Sequence, residues 1–162
     1  MIMGPSARLR RRWASRIRST RGAPHGLQWA DFNKDGAIDL AVANNNPDGR
    51  NALYRNVMSP AQARCSLQVQ VLDSKGHYTR AGSEVRLFEA GTRRVVGGRI
   101  VDTGSGYTSQ SQVPVHFGLG GLKRVDVEVT YFTPQGRKTL VQRNVDPAKV
   151  PNRMLVIKVP FP

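Results

Sequence analysis

The sequence has one cysteine, Cys65, among 162 residues. That excludes an intrachain disulfide and any zinc site built from cysteines. No run approaches the roughly 20 apolar residues that a membrane-crossing helix needs. The opening Met1-Ile2-Met3-Gly4-Pro5 has no apolar stretch of signal-peptide length behind it. The three histidines, His25, His77 and His116, are too scattered for a metal signature. Acid is scarce too: 11 Asp and Glu stand against 25 Lys and Arg, a formal net charge of +14. Residues 1–30 hold no acid and seven arginines: Arg8, Arg10, Arg11, Arg12, Arg16, Arg18 and Arg21. Such a segment can bind nucleic acid, another polyanion or an anionic membrane by phosphate contacts, without sequence preference. The readings preferred over binding are a disordered, solvated tail over 1–26 and the first residues of a piece of a longer protein. What is plentiful is turn chemistry. Sixteen Gly and ten Pro separate short apolar runs, and hydrophobic residues at 39% suffice for a modest core. The chain is therefore expected to be all-β.

One acidic segment interrupts this basic chain. Residues 31–39 read Asp-Phe-Asn-Lys-Asp-Gly-Ala-Ile-Asp. Side-chain oxygens fall at the first, third, fifth and ninth positions, Asp31, Asn33, Asp35 and Asp39, and Gly36 allows a sharp bend. Ala37 can add its backbone carbonyl. Hard cations such as Ca²⁺ take six to eight oxygens at about 2.3–2.6 Å, and alternate inward-facing acceptors supply them. Carboxylates that converge without a cation repel one another. The competing reading is an Asx-rich turn held by local hydrogen bonds. An EF-hand is excluded: its twelfth position needs a bidentate Glu and holds Val42. The exit Leu40-Ala41-Val42-Ala43, broken by Asn44-Asn45-Asn46-Pro47, reads as a strand and a turn, not a helix. Asp39 must then close the site.

Short strands are expected at Leu27–Ala30, Leu40–Ala43 and Asn51–Asn56 around that loop. Three short strands cannot bury a face alone. Residues 58–65 read as a linker or a short helical turn. Longer strands follow. Leu67, Val69 and Val71 alternate with Gln68 and Gln70, and Val85 and Leu87 with Glu84 and Arg86. Val125, Val127 and Val129 alternate with Asp126 and Glu128, the cleanest period of two in the chain. Thr139–Val145 pairs back across Pro134-Gln135-Gly136, and Met154–Val159 is the last strand. Regular strands and turn signals at this spacing indicate a sandwich or barrel.

Residues Trp29 to Leu40, with Ala43-Asn44 and Leu53-Tyr54-Arg55-Asn56, resemble one FG-GAP/VCBS-type repeat. That resemblance implies a single blade of a β-propeller over 27–57, with Asp31, Asn33, Asp35, Asp39 and the Ala37 carbonyl as calcium ligands. The following part resembles the ASPIC/UnbV domain found in secreted proteins of the cartilage acidic protein type. Ala81-Gly82-Ser83-Glu84-Val85 carries this, as do Gly104-Ser105-Gly106-Tyr107-Thr108-Ser109-Gln110 and His116-Phe117-Gly118-Leu119-Gly120. Val125 to Val129 and Pro134-Gln135-Gly136 complete the set. Tyr131-Phe132-Thr133-Pro134 departs from the usual Trp-Pro. The resemblance implies one partial blade, a β-sandwich over 66–160, an extracellular or cell-surface setting and a larger parent protein.

No catalytic signature stands out. Gly104-Ser105-Gly106 lacks nucleophile-elbow spacing, and Ser105, His116 and Asp126 are a trio any chain of this size contains. Gly118-Leu119-Gly120-Gly121 lacks dinucleotide-loop spacing. The polar Gly104–Gln112 segment could face a sugar, which makes Tyr107, Ser109, Gln110 and His116 candidate ligand contacts. A long hairpin connection and a packed structural histidine are the competing readings. The expectation is a non-catalytic, calcium-binding module for adhesion or ligand binding, its partner an extracellular protein or a carbohydrate. A carbohydrate-binding accessory domain and a polyanion binder are the alternatives.

Overall fold

The computed structural model describes residues 24–44, 51–78, 80–104 and 114–160. The arginines of residues 1–21 and Tyr107, Ser109 and Gln110 lie outside the described residues. The described chain is built from ten strands, one helical turn and two 3-10 turns, and so is all-β.

Strands β1 (Pro24–Ala30), β2 (Asp39–Asn44) and β3 (Ala52–Tyr54) form an antiparallel sheet in that order. β1 starts three residues before the boundary expected from sequence. The pairs Leu27–Val42, Trp29–Leu40 and Leu40–Tyr54 place the larger apolar residues on one face. That face is only partly covered: Leu40 is buried, whereas Leu27 and Trp29 are exposed. The acidic segment is the β1–β2 connection.

The helical turn α1 (Pro60–Ala63) carries the chain onward. Ser59 caps it, accepting from the Gln62 N–H while the Gln62 side chain reaches back to the Ser59 N–H. Seven strands follow: β4 (Ser66–Asp73), β5 (Glu84–Glu89), β6 (Val95–Ile100), β7 (Val115–Gly118), β8 (Val125–Thr133), β9 (Gly136–Val145) and β10 (Met154–Val159). They form two sheets, of order β10-β4-β7 and β6-β5-β8-β9. Alternation explains their shared core. Leu67, Val69 and Val71 on β4 meet Val85 and Leu87 on β5 and Val125, Val127 and Val129 on β8, joined by Phe117 and by Leu155, Ile157 and Val159. None of these core residues comes from the first sheet.

Two features escaped the sequence. β6 has strand formers in Val95, Val96 and Ile100, but Gly97-Gly98 interrupts them and the strand is largely exposed, so it shows no alternation. A Cβ on Gly97 would stand 3.2 Å from the Phe117 ring, close enough that the ring would have to give by a few tenths of an ångström. The other feature is the parallel pairing of β10 with β4, which joins the last strand to the fourth.

Candidate functional site: the acidic loop and its clamp

Residues 31–38 bend through two left-handed residues, Lys34 at φ 59° and Gly36 at φ 93°. The carboxylates tie the loop to its own backbone. Asp31 accepts from the N–H groups of Asp35 (3.0 Å) and Gly36 (2.9 Å). Asp35 Oδ1 accepts from the Ala37 N–H at 2.9 Å, while its Oδ2 takes the Asn33 amide at 2.8 Å and the Arg55 guanidinium at 3.2 Å. Asp39 is 1% exposed. It accepts from the Asn56 N–H at 2.7 Å and the Phe32 N–H at 3.3 Å.

Electrostatics separates these acids. The Ala37 N–H, followed by Asn33 and Arg55, holds the Asp35 carboxyl below the ordinary aspartate value against its desolvation. Burial pushes Asp39 up; the Asn56 and Phe32 N–H groups oppose this, and the charges of Asp35 and Asp31 add to it. The Arg55–Asp35 pair is exposed, with side chains 64% and 32% accessible. Such pairs contribute only about 0.2–1 kcal/mol, so Asp35 can exchange this partner cheaply.

Three groups from outside clamp the loop. The Gln68 amide of β4 donates to Asp31 at 2.9 Å. His116 Nε2–H of β7 donates to the Gly36 carbonyl at 3.0 Å. Gly36 lies against the Ala63 carbonyl and Ser66, with no room for a Cβ. His116 is half-buried. Its desolvation lowers its pKa, the Gly36 carbonyl and the Asp31 charge oppose that, and Arg99 adds to it. Sequence reasoning missed Gln68, which reads only as the outward residue of an alternating strand. Asp126 also has structural partners, accepting from the N–H groups of Asn144 and Gly91.

The donor set has the chemistry of a hard-cation site: three carboxylates, one amide oxygen and a carbonyl. Each carboxylate oxygen has two lone pairs. Asn33 Oδ1 also accepts from the Asp35 N–H at 3.2 Å, and it, Asp31 Oδ1, Asp35 Oδ1 and both Asp39 oxygens each accept a single bond. Capacity for a cation therefore remains. The arrangement itself is closed on N–H donors. Among the described residues no three His, Cys, Asp or Glu side chains are grouped to hold a metal ion.

A cleft of about 360 Å³ lies between the loop-bearing sheet and β6–β7. Trp29, 52% exposed, lines it with Gln28, Arg99, Asp102 and His116.

An all-β chain with its core in two sheets, carrying an acidic loop clamped to one of them, is the class these observations define. Residues 73–151 match the family model described as ASPIC and UnbV. The matched segment runs from the end of β4 through β5 to β9 and contains every motif quoted above for that resemblance; the acidic loop lies outside it. No curated protein and no solved structure matches the chain. Among the described residues no helix is long and apolar enough to cross a membrane.

Proposed function

We propose that this chain is a non-catalytic extracellular module for adhesion or ligand binding, stabilised by calcium at residues 31–39. In this reading residues 27–57 are an FG-GAP/VCBS-like blade and residues 66–160 an ASPIC/UnbV-like β-sandwich. The carrying observation is Asp39, a nearly inaccessible carboxylate further penalised by the charges of Asp31 and Asp35. A divalent cation supplies the missing counter-charge. Asp31, Asn33, Asp35 and Asp39 would hold it with the Ala37 carbonyl, and Asp35 would exchange Arg55 for it. Without a bidentate Glu the affinity is weak, on the order of 10⁻⁴–10⁻³ M. Calorimetric titration of the parent and of Asp35→Ala with CaCl₂ tests this. Heat from the parent alone is expected, and equal heats from both would sink it.

The cleft at Trp29 favours a second reading, carbohydrate binding. A half-exposed indole offers a face for a sugar ring, and Gln28, Arg99, Asp102 and His116 offer polar contacts. Trp29→Ala should abolish retention on the glycan that the parent binds best in an array. Unchanged retention would remove the reading.

A further inference from the structure

A larger cleft, of about 560 Å³, opens on the other side of the acidic loop. It lies between that loop, the segment leading into α1 and the 3-10 turn Pro151–Arg153. Lys34, Arg55, Arg64 and Arg153 line it, and Asp35 is the one carboxylate among its described lining residues. Arg55 is paired with Asp35. Lys34, Arg64 and Arg153 have no carboxylate partner among the described residues; several cations elsewhere, Arg99 and Arg124 among them, also lack one, and what sets these three apart is that they line one cleft.

The backbone marks the same place. Four described non-glycine residues adopt a left-handed φ, and three of them line this cleft: Lys34 at 59°, Asn152 at 50° and Arg153 at 55°. Asn adopts that conformation readily, so Asn152 carries little weight, but Lys34 and Arg153 hold it only where the surroundings favour it, and such positions concentrate at ligand sites. At Asn152 and Arg153 it breaks the helical turn and carries Arg153 to the cleft wall. Beyond the Arg55–Asp35 pair, the like charges of Lys34, Arg64 and Arg153 on one cleft wall disfavour one another. A planar or tetrahedral oxyanion removes that repulsion and accepts paired N–H bonds from a guanidinium fork.

We propose that this cleft binds a compact anionic group, the sulfate or carboxylate oxygens of a small acidic sugar or of a free ion. The inference gives the ligand-binding reading above a ligand class and rests on that reading, not on calcium in the loop.

The test is calorimetric titration of the full chain, at about 0.15 M salt without calcium, with a sulfated uronate disaccharide, its neutral counterpart and inorganic sulfate. Saturable one-site binding of the sulfated sugar is expected. Arg64→Gln/Arg153→Gln should weaken it about tenfold or more, since two charge-assisted contacts are lost. Arg86→Gln removes one positive charge from β5 outside the cleft and should change affinity less than about twofold, as screened surface charges do. Sulfate binding as tightly as the disaccharide makes the free ion the ligand; tighter disaccharide binding makes it the sugar. Asp35→Ala separates the two readings, since it should lose calcium yet bind the anion at least as well. Equal binding of neutral and sulfated sugars would leave a sugar site without this anion site and overturn the proposal. So would absent saturation, a double variant equal to the parent, or an equal loss in Arg86→Gln.

Discussion

Gly36→Ala should release the acidic loop from the body of the protein, and Gly121→Ala provides its control. Both glycines sit at φ 93°. Both substitutions therefore put an L residue in the left-handed region, at roughly 1–2 kcal/mol. Only Gly36 is crowded. Its Cβ would overlap the Ala63 carbonyl, whereas a Cβ on Gly121 meets nothing within 4 Å. The Ala63 carbonyl cannot easily retreat, because it accepts the Ser66 hydroxyl at 2.7 Å. The loop must move instead, and forced overpacking costs about 1–3 kcal/mol. Moving it also stretches the His116–Gly36 and Gln68–Asp31 hydrogen bonds, each contributing about 0.5–1.5 kcal/mol, more for the charged acceptor. The excess of Gly36→Ala over Gly121→Ala is thus about 2 kcal/mol or more. With a urea slope near 2 kcal/mol/M, Gly36→Ala should melt at a midpoint roughly 1 M below Gly121→Ala. Coincident midpoints would refute the clamp: the loop would then be held by nothing that Gly36 touches.

Three further outcomes are expected. Leu87→Ala, in the shared core, should cost about 2–5 kcal/mol by urea melting, while Leu53→Ala, at 58% exposure, should stay within about 0.5 kcal/mol; similar losses would mean the core is misplaced. His116 has a lowered folded-state pKa, so between that value and the ordinary 6.5 the unfolded chain binds the extra proton. Its contribution is complete above about pH 6.5 and is lost as pH falls through the folded pKa; thermal melts of His116→Gln should lack that part of the parent's pH slope, and an unchanged slope would rule it out. A chain beginning at Arg64 should keep a cooperative melt, since the core cluster draws only on residues from Leu67 to Val159; an unfolded product from a cooperative parent would show that the first sheet is indispensable.

Local pattern made part of this legible. Val125, Val127 and Val129 announce β8 because they fill the core face, while the alternate Asp126 and Glu128 take backbone N–H and arginine partners on the other. The acidic loop was visible because its donors alternate within nine successive residues. β6 was hidden, since its Gly97 answers to Phe117 from another strand and leaves no periodicity. The clamp was hidden for the same reason: Gln68 and His116 meet the loop only through tertiary structure. Arg64 and Arg153 read as ordinary surface arginines until α1 and the Pro151–Arg153 turn bring them to one cleft. Alternation predicts which way a side chain faces, not which distant group it will meet.

The parallel pairing of β10 with β4 also sets an order of events during synthesis. β4 emerges early, yet one of its two neighbours in the sheet is the last strand. Until Met154–Val159 arrives, that edge of β4 presents unpaired backbone groups, and the core lacks Leu155, Ile157 and Val159. Closing so long a loop must precede the contacts that reward it, which places such topologies among slow folders. The nascent chain therefore carries an open, apolar-backed strand edge from the emergence of β4 until that of β10, the condition under which strands pair with the wrong neighbour. Completion of this core waits on Met154–Val159, so a ribosome that stalls before Met154 leaves a chain that cannot hide β4.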